Sequence, residues 1–217
     1  MSLSKRLQTV LNYIDASDKV ADIGADHGYL TIAMYEKGVK YLQVVENKKG
    51  PLDRAKQNLM DYDNISFSLS DGISDLEPFI DTVTICGMGG LNIVEILNNN
   101  LDTAKSLKKI VMQANSKTYE LREYLISNGF EIVDEDFVKD ADQYYEIIVA
   151  IYKGNTNKLS TGELYFGPIL LKKHIDDFID YYLALKENIK KIILANPNRK
   201  MQELNDKLEL IEKYFKE

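Results

Sequence analysis

Two hydrophobic patterns alternate along the first two thirds of the chain. Short apolar runs predict buried strands, which we place at Lys19–Gly24, Tyr41–Glu46, Ile65–Leu69, Thr82–Cys86 and Lys109–Gln113. Apolar residues at helical spacing predict helices at 3–14, from Tyr29 to Gly38, from Pro51 onward, and over Leu91–Leu97 and Thr118–Ser127. Strands and helices that alternate in this way form β-α-β units, so we expect a parallel sheet with right-handed crossovers.

The pattern changes after the fifth predicted strand. Phe130–Phe137 and Tyr145–Tyr152 read as two further strands, joined by a short polar connection that leaves no room for a helix. A parallel crossover needs about a dozen residues or more, so these two strands are expected to pair antiparallel. Parallel strands closed by an antiparallel hairpin resemble the sheet of class I S-adenosylmethionine methyltransferases. The expected fold class is therefore α/β, with a Rossmann-like class I methyltransferase sheet.

A heptad-like pattern replaces this alternation towards the C-terminus. Residues 154–163 are mostly polar and predict a linker. Apolar residues then recur in steps of three and four from Leu171 to Ile192 and from Met201 to Phe215, on either side of Asn196-Pro197-Asn198. We expect an antiparallel helical hairpin (a coiled coil) over 164–217, following a methyltransferase-like domain over 1–153.

Composition excludes several classes of protein. With 45% hydrophobic and 28% charged residues among 217, the chain is expected to be globular. Its longest apolar run, Ile147–Tyr152, is far shorter than the ~20 residues of a membrane span, and the N-terminus lacks the features of a secretory signal. One Cys and two His cannot build a zinc cluster. We therefore expect a cytoplasmic protein with no membrane partner and no metal.

Charge bears on the choice of partner. The net charge of −7 argues against a protein that holds nucleic acid by charge alone, because Lys and Arg drive phosphate binding. Residues 1–159 carry 17 Lys or Arg and 24 Asp or Glu, whereas residues 160–217 carry 10 of each. The C-terminal part therefore permits a polyanionic partner.

Carboxylates mark the ends of the first three predicted strands. Asp22 lies just before a small-residue loop, Glu46 ends the second strand, and Asp71 follows the third. Each alone is also typical of a turn or a solvated surface, but together they lie at the edge where open α/β sheets bind ligands. Asp22 is suited to an ammonium group, Glu46 to ribose hydroxyls and Asp71 to an adenine amino group. The loop has no G-x-G-x-x-G, and Asp22 would repel a pyrophosphate, so a nicotinamide dinucleotide is disfavoured.

The loop after the fourth strand reads Gly87-Met88-Gly89-Gly90 and lies beside the reactive methyl group in this fold. It lacks the Asn/Asp-Pro-Pro-aromatic sequence typical of enzymes that methylate exocyclic amines of bases. Cys86 does not follow a proline, as the nucleophile of cytosine C5 methylation normally does, and we interpret it as a small buried apolar residue. The glycines indicate either an open floor suited to a planar base or simply a flexible loop.

Five segments of the chain carry a more specific resemblance: VADIGADHGYL, the Glu46-Asn47 pair before GPL, the SDG turn, ICGMGG and VMQAN. Together they resemble the bacterial tRNA (adenine(22)-N1)-methyltransferase family (TrmK type), over essentially the whole chain. The resemblance implies methyl transfer from S-adenosylmethionine to N1 of an adenine in the D-arm region of tRNA. The residues then expected to contact the cofactor are Asp22, Gly24, Ala25, Asp26, His27, Gly28, Glu46, Asn47, Asp71, Gly72, Gly87, Met88 and Gly89.

The acceptor chemistry suggests two catalytic candidates. Adenine N1 has its own lone pair, so its methylation needs positioning more than a strong base. The product base is cationic, and we expect the Asp26 carboxylate to stabilise that charge as it develops. Tyr29 is expected to stack on the base, although a Tyr at a helix start is more often buried or at a rim, and His27 to position the cofactor or relay a proton. A paired adenine would first have to be exposed or flipped.

The predicted helical hairpin carries basic residues that we expect to clamp tRNA. They are Lys172, Lys173, Lys186, Lys190, Lys191, Arg199 and Lys200. Lysines on exposed helix faces, however, usually serve only solubility.

Two other functions stay open. A methyltransferase for a small metabolite predicts an enclosed pocket over residues 87–90, and a non-catalytic binding module with this fold predicts that no cofactor binds. The sequence also leaves open whether the protein is a monomer or a weak dimer.

Overall fold

The computed structural model describes residues 3–196 and 201–215, which include one seven-stranded sheet. The strands are β1 (Lys19–Ile23), β2 (Tyr41–Glu46), β3 (Ile65–Leu69), β4 (Thr82–Met88), β5 (Lys109–Ala114), β6 (Phe130–Asp140) and β7 (Gln143–Tyr152). The helices are α1 (Lys5–Asn12), α2 (Tyr29–Glu36), α3 (Lys49–Asn58), α4 (Gly90–Asn99), α5 (Leu101–Ser106), α6 (Thr118–Ser127), α7 (Thr161–Phe166), α8 (Asp176–Ala195) and α9 (Gln202–Tyr214).

The sheet has the order β3-β2-β1-β4-β5-β7-β6. The first five strands are parallel, and β7 pairs antiparallel with both β5 and β6. The predicted parallel sheet with a terminal antiparallel hairpin is confirmed. The hairpin is longer than predicted, because β6 and β7 continue to a tight turn in which Ala141 has a φ of 52°.

Hydrophobic side chains cover both faces of the central strands. On one face Ile23 and Ile85 pack with Ile93 of α4, and on the other Val20 packs with Val10 of α1. Strands buried on both faces have continuous apolar sequences, which is why the pattern locates them well. Because β1 lies between β2 and β4, the strand order reverses there, and this leaves a crevice at the carboxyl ends of β1 and β4.

Two short helices, α5 and α7, are missing from the sequence prediction. The second falls partly within residues 154–163, where we predicted a linker. It begins with a capping box in which the Ser160 hydroxyl accepts from the Glu163 N–H and the Glu163 carboxylate accepts from the Ser160 N–H. The first residues of α7 therefore fall within the predicted linker.

The long C-terminal helix also begins later than predicted. The heptad pattern starts at Leu171, whereas α8 begins at Asp176. The residues before it form turns, because the backbone N–H groups of Ile169 and Leu170 donate to Oε2 of Glu135, at 2.9 and 3.3 Å. A tertiary contact with β6 thus overrides the local helical pattern.

The predicted helical hairpin is formed by α8 and α9, and it also packs on the sheet. The Phe137 ring of β6 lies 5.2 Å from that of Phe178 and 5.6 Å from that of Tyr181. Beside this cluster the fully buried Arg122 donates to the carboxylates of Glu135 and Glu146. The two predicted domains therefore share a core.

Positions 197 and 198 of the predicted helix break lie outside the described residues. Of the helices described, none is long and apolar enough to cross a membrane.

Candidate active site

Two adjoining cavities open at the carboxyl edge of the parallel strands. The first has a volume of about 330 Å³ and is lined by predicted site residues Glu46, Asn47, Asp71, Gly72 and Met88. The second has a volume of about 310 Å³ and is lined by predicted site residues Asp22, Ala25, Asp26, His27, Tyr29 and Gly87. Both include Gly24, and the Met88 side chain lies so close to it that a Cβ there would overlap the Met88 methyl group. Gly28 and Gly89 lie just outside the linings, at the N-termini of α2 and α4.

A larger depression of about 910 Å³ lies at the opposite edge of the sheet, where β2 and β3 begin. Its lining includes Tyr41 and Phe79, whose rings are half exposed. None of the three strand-end carboxylates lines it. Because ligands of open α/β sheets bind at the carboxyl ends of strands, we place the site at the two smaller cavities.

Asp22 is buried beneath the second cavity, with 2% of its surface exposed. Its two carboxylate oxygens accept from the hydroxyls of Thr31 and Thr84, both at 2.8 Å. Burial raises the pKa of Asp22 to about 6, and the charge of Glu46 adds to this rise while the two hydroxyls oppose it. Each oxygen retains a second lone pair, so Asp22 can still accept from a bound ammonium group.

Glu46 connects the two cavities. Its Oε1 accepts from the backbone N–H of Asp26 at 2.5 Å, which ties the end of β2 to the loop after β1. Glu46 is 6% exposed. Burial is the main cause that raises the pKa of its carboxyl group, and the negative charge of Asp26 also raises it, while the hydrogen bond from the Asp26 N–H opposes this rise. Asp71, in contrast, is exposed at the rim of the first cavity. The structure thus brings all three predicted carboxylates to one crevice, at different depths.

Asp26 is not an isolated charge. Its backbone has a φ of 49°, and its half-exposed carboxylate lies 3.1 Å from Nη2 of Arg54 on α3 and 3.5 Å from Nε2 of His27. No sequence signal points to Arg54, because nothing in the local pattern places α3 beside the loop after β1. The partners orient the carboxylate and lower the negative charge that it presents to a ligand.

His27 and Tyr29 form an aromatic pair at the mouth of the second cavity. Their rings are stacked, with centroids 5.5 Å apart and an angle of 16° between planes. Tyr29 is 40% exposed, so it lies at the rim rather than in the core. The pair presents a flat aromatic surface beside Asp26, and such surfaces stack on nucleobases.

The end of β4, at Gly87 and Met88, separates the two cavities. The pairing of β4 with β5 shifts register between Cys86 and Met88, which makes Gly87 the extra residue of a β-bulge, with a φ of 78°. Cys86 itself is half buried, and burial raises the pKa of its thiol, which keeps it protonated. This agrees with its interpretation as an apolar residue. Arg6 and Gln113, which the site prediction omitted, also lie at this end of β4.

The predicted basic clamp is only partly exposed. Lys172 and Lys191 are exposed, whereas Lys173 pairs with Asp134 at 2.6 Å and Lys190 pairs with Glu212 at 2.9 Å. Lys186 is 5% exposed, so its predicted place on an exposed face is wrong. Arg199 and Lys200 lie outside the described residues.

Among the residues that are described, no cluster of His, Cys, Asp and Glu could hold a metal ion.

Known proteins resemble this chain in sequence and in structure. Residues 3–148 match the family described as a methyltransferase domain. The tRNA (adenine(22)-N(1))-methyltransferase of Bacillus subtilis (strain 168) is 30% identical over 231 aligned residues, which cover 97% of this chain and 96% of that protein.

Two solved structures share the whole architecture. M. capricolum TrmK, in complex with the natural cofactor product S-adenosyl-homocysteine, is 29% identical with a TM-score of 0.86, over 99% of this chain and 98% of that one. A Streptococcus pneumoniae protein in complex with S-adenosyl-L-methionine is 29% identical with a TM-score of 0.88, over 99% and 100% of the two chains.

Proposed function

Because the chain belongs to the tRNA (adenine(22)-N1)-methyltransferase family, we propose that it transfers a methyl group from S-adenosylmethionine to N1 of adenine 22 in tRNA. The observation that carries the proposal is the placement of Asp22, Glu46 and Asp71 around two cavities that meet at Gly24. This crevice is where open α/β sheets bind their ligands.

The residues around the cavities fit S-adenosylmethionine by their chemistry. The compound is cationic and has no phosphate, and carboxylates suit a cation, whereas they would repel the pyrophosphate of a dinucleotide. We assign the first cavity to the nucleoside, with Glu46 accepting from ribose hydroxyls and Asp71 from the adenine amino group. Asp22, below Gly24, provides negative charge for the ammonium group.

S-adenosylmethionine supplies an electrophilic methyl group when it is bound. The residues of this chain need only align the adenine and stabilise the charge that develops on it, because N1 is itself the nucleophile. We assign alignment to the stacked rings of His27 and Tyr29 and charge stabilisation to Asp26, which Arg54 holds in place.

A macromolecular substrate is favoured over a small metabolite by the mouth of the second cavity. Asp26, Tyr29 and Gly87 line this cavity and are themselves exposed, whereas a metabolite enzyme predicts an enclosed pocket there. We further propose that tRNA also contacts Lys172 and Lys191 of the helical hairpin, and that the protein acts in the cytoplasm, where tRNA is found.

Methylation of unfractionated tRNA tests this function. The purified protein is incubated with tRNA and methyl-labelled S-adenosylmethionine, and the tRNA is digested to nucleosides, which are then separated. We expect the label in 1-methyladenosine. Free adenosine is tested in parallel as an acceptor. Label in another nucleoside, transfer to free adenosine at a rate equal to that with tRNA, or no transfer would contradict the proposal.

A further inference from the structure

The VMQAN segment contains two amide side chains that the proposed function leaves without a role. Gln113 is fully buried near the end of β5, and Asn115 follows that strand. We propose that both are positioning residues for methyl transfer, because together they fix the peptide groups of Gly87 and the side chain of Arg6 at the second cavity. This inference rests on the proposed function.

The two amides hold Gly87 from both sides. Gln113 Oε1 accepts from the Gly87 N–H at 3.0 Å, and Asn115 Nδ2 donates to the Gly87 carbonyl at 2.8 Å. Gln113 Nε2 donates to Asn115 Oδ1 at 2.9 Å, which links the two side chains to each other. The backbone N–H of Asn115 also donates to the Met88 carbonyl at 2.8 Å. These bonds form a closed clamp around the last two residues of β4.

The position of the clamp explains why the end of β4 needs one. Gly87 is the extra residue of the β-bulge, and a bulge leaves its extra residue outside the regular ladder of the sheet. Its peptide groups are therefore fixed by side chains rather than by a neighbouring strand. Gly87 lines the second cavity and Met88 the first, so the clamp determines the wall between the two.

The same buried oxygen also orients Arg6. Gln113 Oε1 accepts from Nη1 of Arg6, and the Arg6 guanidinium lies over the ring of Tyr145, 5.4 Å from its centroid. Arg6 belongs to α1 and lines the second cavity together with Gly87. Gln113 thus joins the first helix to the end of β4, and a change in the clamp moves two walls of one cavity.

The clamp contributes through geometry and contacts no transferred atom. Methyl transfer to a nitrogen lone pair depends on alignment, and a misplacement of about 1 Å can cost about a hundredfold in rate. The nucleoside contacts assigned to Glu46 and Asp71 lie on other strand ends and do not depend on Asn115. Loosening the clamp is therefore expected to lower turnover much more than cofactor affinity.

Substitution of Asn115 tests the inference, because this side chain is exposed and its replacement leaves no cavity in the core. Asn115→Ala removes the donor to Gly87, and Asn115→Asp replaces it with an oxygen that repels the carbonyl. Asn155→Asp, at an exposed position after β7, is the matched control for the added charge. We measure kcat with tRNA, KM for S-adenosylmethionine, the thermal midpoint, and amide hydrogen exchange of residues 85–90.

We expect both Asn115 variants to lose about tenfold to a hundredfold in kcat, with KM for S-adenosylmethionine changed less than about twofold and an unchanged thermal midpoint. Exchange over residues 85–90 is expected to accelerate, while the control variant matches the wild type throughout. A kcat equal to the control, or a parallel loss of cofactor affinity and thermal midpoint, overturns the positioning role. If the wild type itself does not methylate tRNA, the proposed function fails, and unchanged exchange in the Asn115 variants would separately disprove the clamp.

Discussion

At the scale of single residues, Asp22 makes the site sensitive to pH. Burial raises its pKa from 3.8 to about 6, so the folded protein binds a proton more readily than the unfolded chain between these values. The contribution of Asp22 to stability is therefore favourable at low pH and is lost as the pH rises from 3.8 to about 6. At neutral pH the ionised Asp22 therefore lowers the stability of the folded protein, but it places a negative charge below the glycine loop.

We predict that affinity for S-adenosylmethionine rises with pH over the same range. A cationic ligand favours ionised Asp22, so the affinity should increase about tenfold between about pH 5 and about pH 7 if only the ionised form binds. Calorimetric titration at several pH values measures this. Asp22→Asn should flatten the profile and weaken binding at neutral pH, while Asp53→Asn, at an exposed position on α3, should leave both unchanged. A variant profile as steep as that of the wild type would exclude Asp22 as the group responsible.

Asp26→Asn is expected to lower turnover more than affinity. Asparagine keeps the shape of the side chain but removes the charge that stabilises the methylated base, and this charge matters only as the methyl group arrives. Loss of one such group typically costs on the order of 10²–10³ in rate. Single-turnover rates at saturating cofactor and tRNA measure the effect. Asp53→Asn again serves as the control, and a near-wild-type rate for Asp26→Asn would remove this residue from the catalytic assignment.

The sequence predicts which carboxylates lie at the site but not what surrounds them. Asp22 and Glu46 could be located because strand ends are visible in the hydrophobic pattern. The hydroxyls of Thr31 and Thr84 and the guanidinium of Arg54 could not, because they reach the carboxylates through packing between elements that are distant along the chain.

At the scale of elements, the start of α4 depends on a close backbone approach. The N–H of Gly90 donates to the Ser116 carbonyl at 2.7 Å. A Cβ on Gly90 would lie 2.8 Å from that carbonyl oxygen and closer still to the carbonyl oxygen of Lys117. Close packing therefore requires a glycine at position 90 of the ICGMGG segment. This requirement is separate from the interpretation of the glycines as an open floor for a base.

We predict that Gly90→Ala destabilises the fold by about 1–3 kcal/mol, which is typical of overpacking. Urea unfolding of the wild type and the variant measures the change. Gly50→Ala in the first turn of α3 is the matched control, because the added Cβ would meet only the end of the Arg54 side chain, at 3.8 Å. We expect no loss of stability there, since Ala is the better helix former. Equal stability of Gly90→Ala and the wild type would contradict this packing account.

Elements with strong local patterns were predicted well, and those set by tertiary contacts were not. The five parallel strands are continuous apolar runs, so they stand out in the sequence. Helix α7 has only six residues, which is too short to show a period. The start of α8 is moved by the Glu135 carboxylate, which holds the preceding backbone in turns, and no local signal reports a contact with β6.

At the scale of the whole molecule, the helical hairpin is joined to the sheet by a buried polar network. Arg122 donates to Glu135, Glu146 and the Leu164 carbonyl, and Glu135 accepts from the turn before α8. Deleting residues 160–217 would remove the Leu164 carbonyl from Arg122 and the Ile169 N–H from Glu135, and it would expose Phe137, although the ion pairs of Arg122 lie within the part that remains. A deletion therefore tests folding, and surface substitutions are the better test of tRNA binding.

We predict that the double variant Lys172→Glu and Lys191→Glu binds tRNA more weakly, with unchanged affinity for S-adenosylmethionine. If both lysines contact phosphates, the slope of log affinity against log salt concentration should decrease by about 0.7–0.9 for each lost contact. Filter binding over a salt series measures this slope. Lys153→Glu, at an exposed position after β7, is the control. A slope that does not differ from the control would show that these two lysines take no part in tRNA binding.

Position-specific methylation of a matched pair of tRNA transcripts tests the account most directly. One transcript carries adenine at position 22, and the other differs only by guanine there. With wild-type protein and methyl-labelled S-adenosylmethionine, we predict one methyl group per molecule of the first transcript, recovered as 1-methyladenosine at position 22, and none in the second. Equal labelling of both transcripts, or label at a different nucleoside of the first, would contradict the assignment of this chain as an adenine-22 N1-methyltransferase.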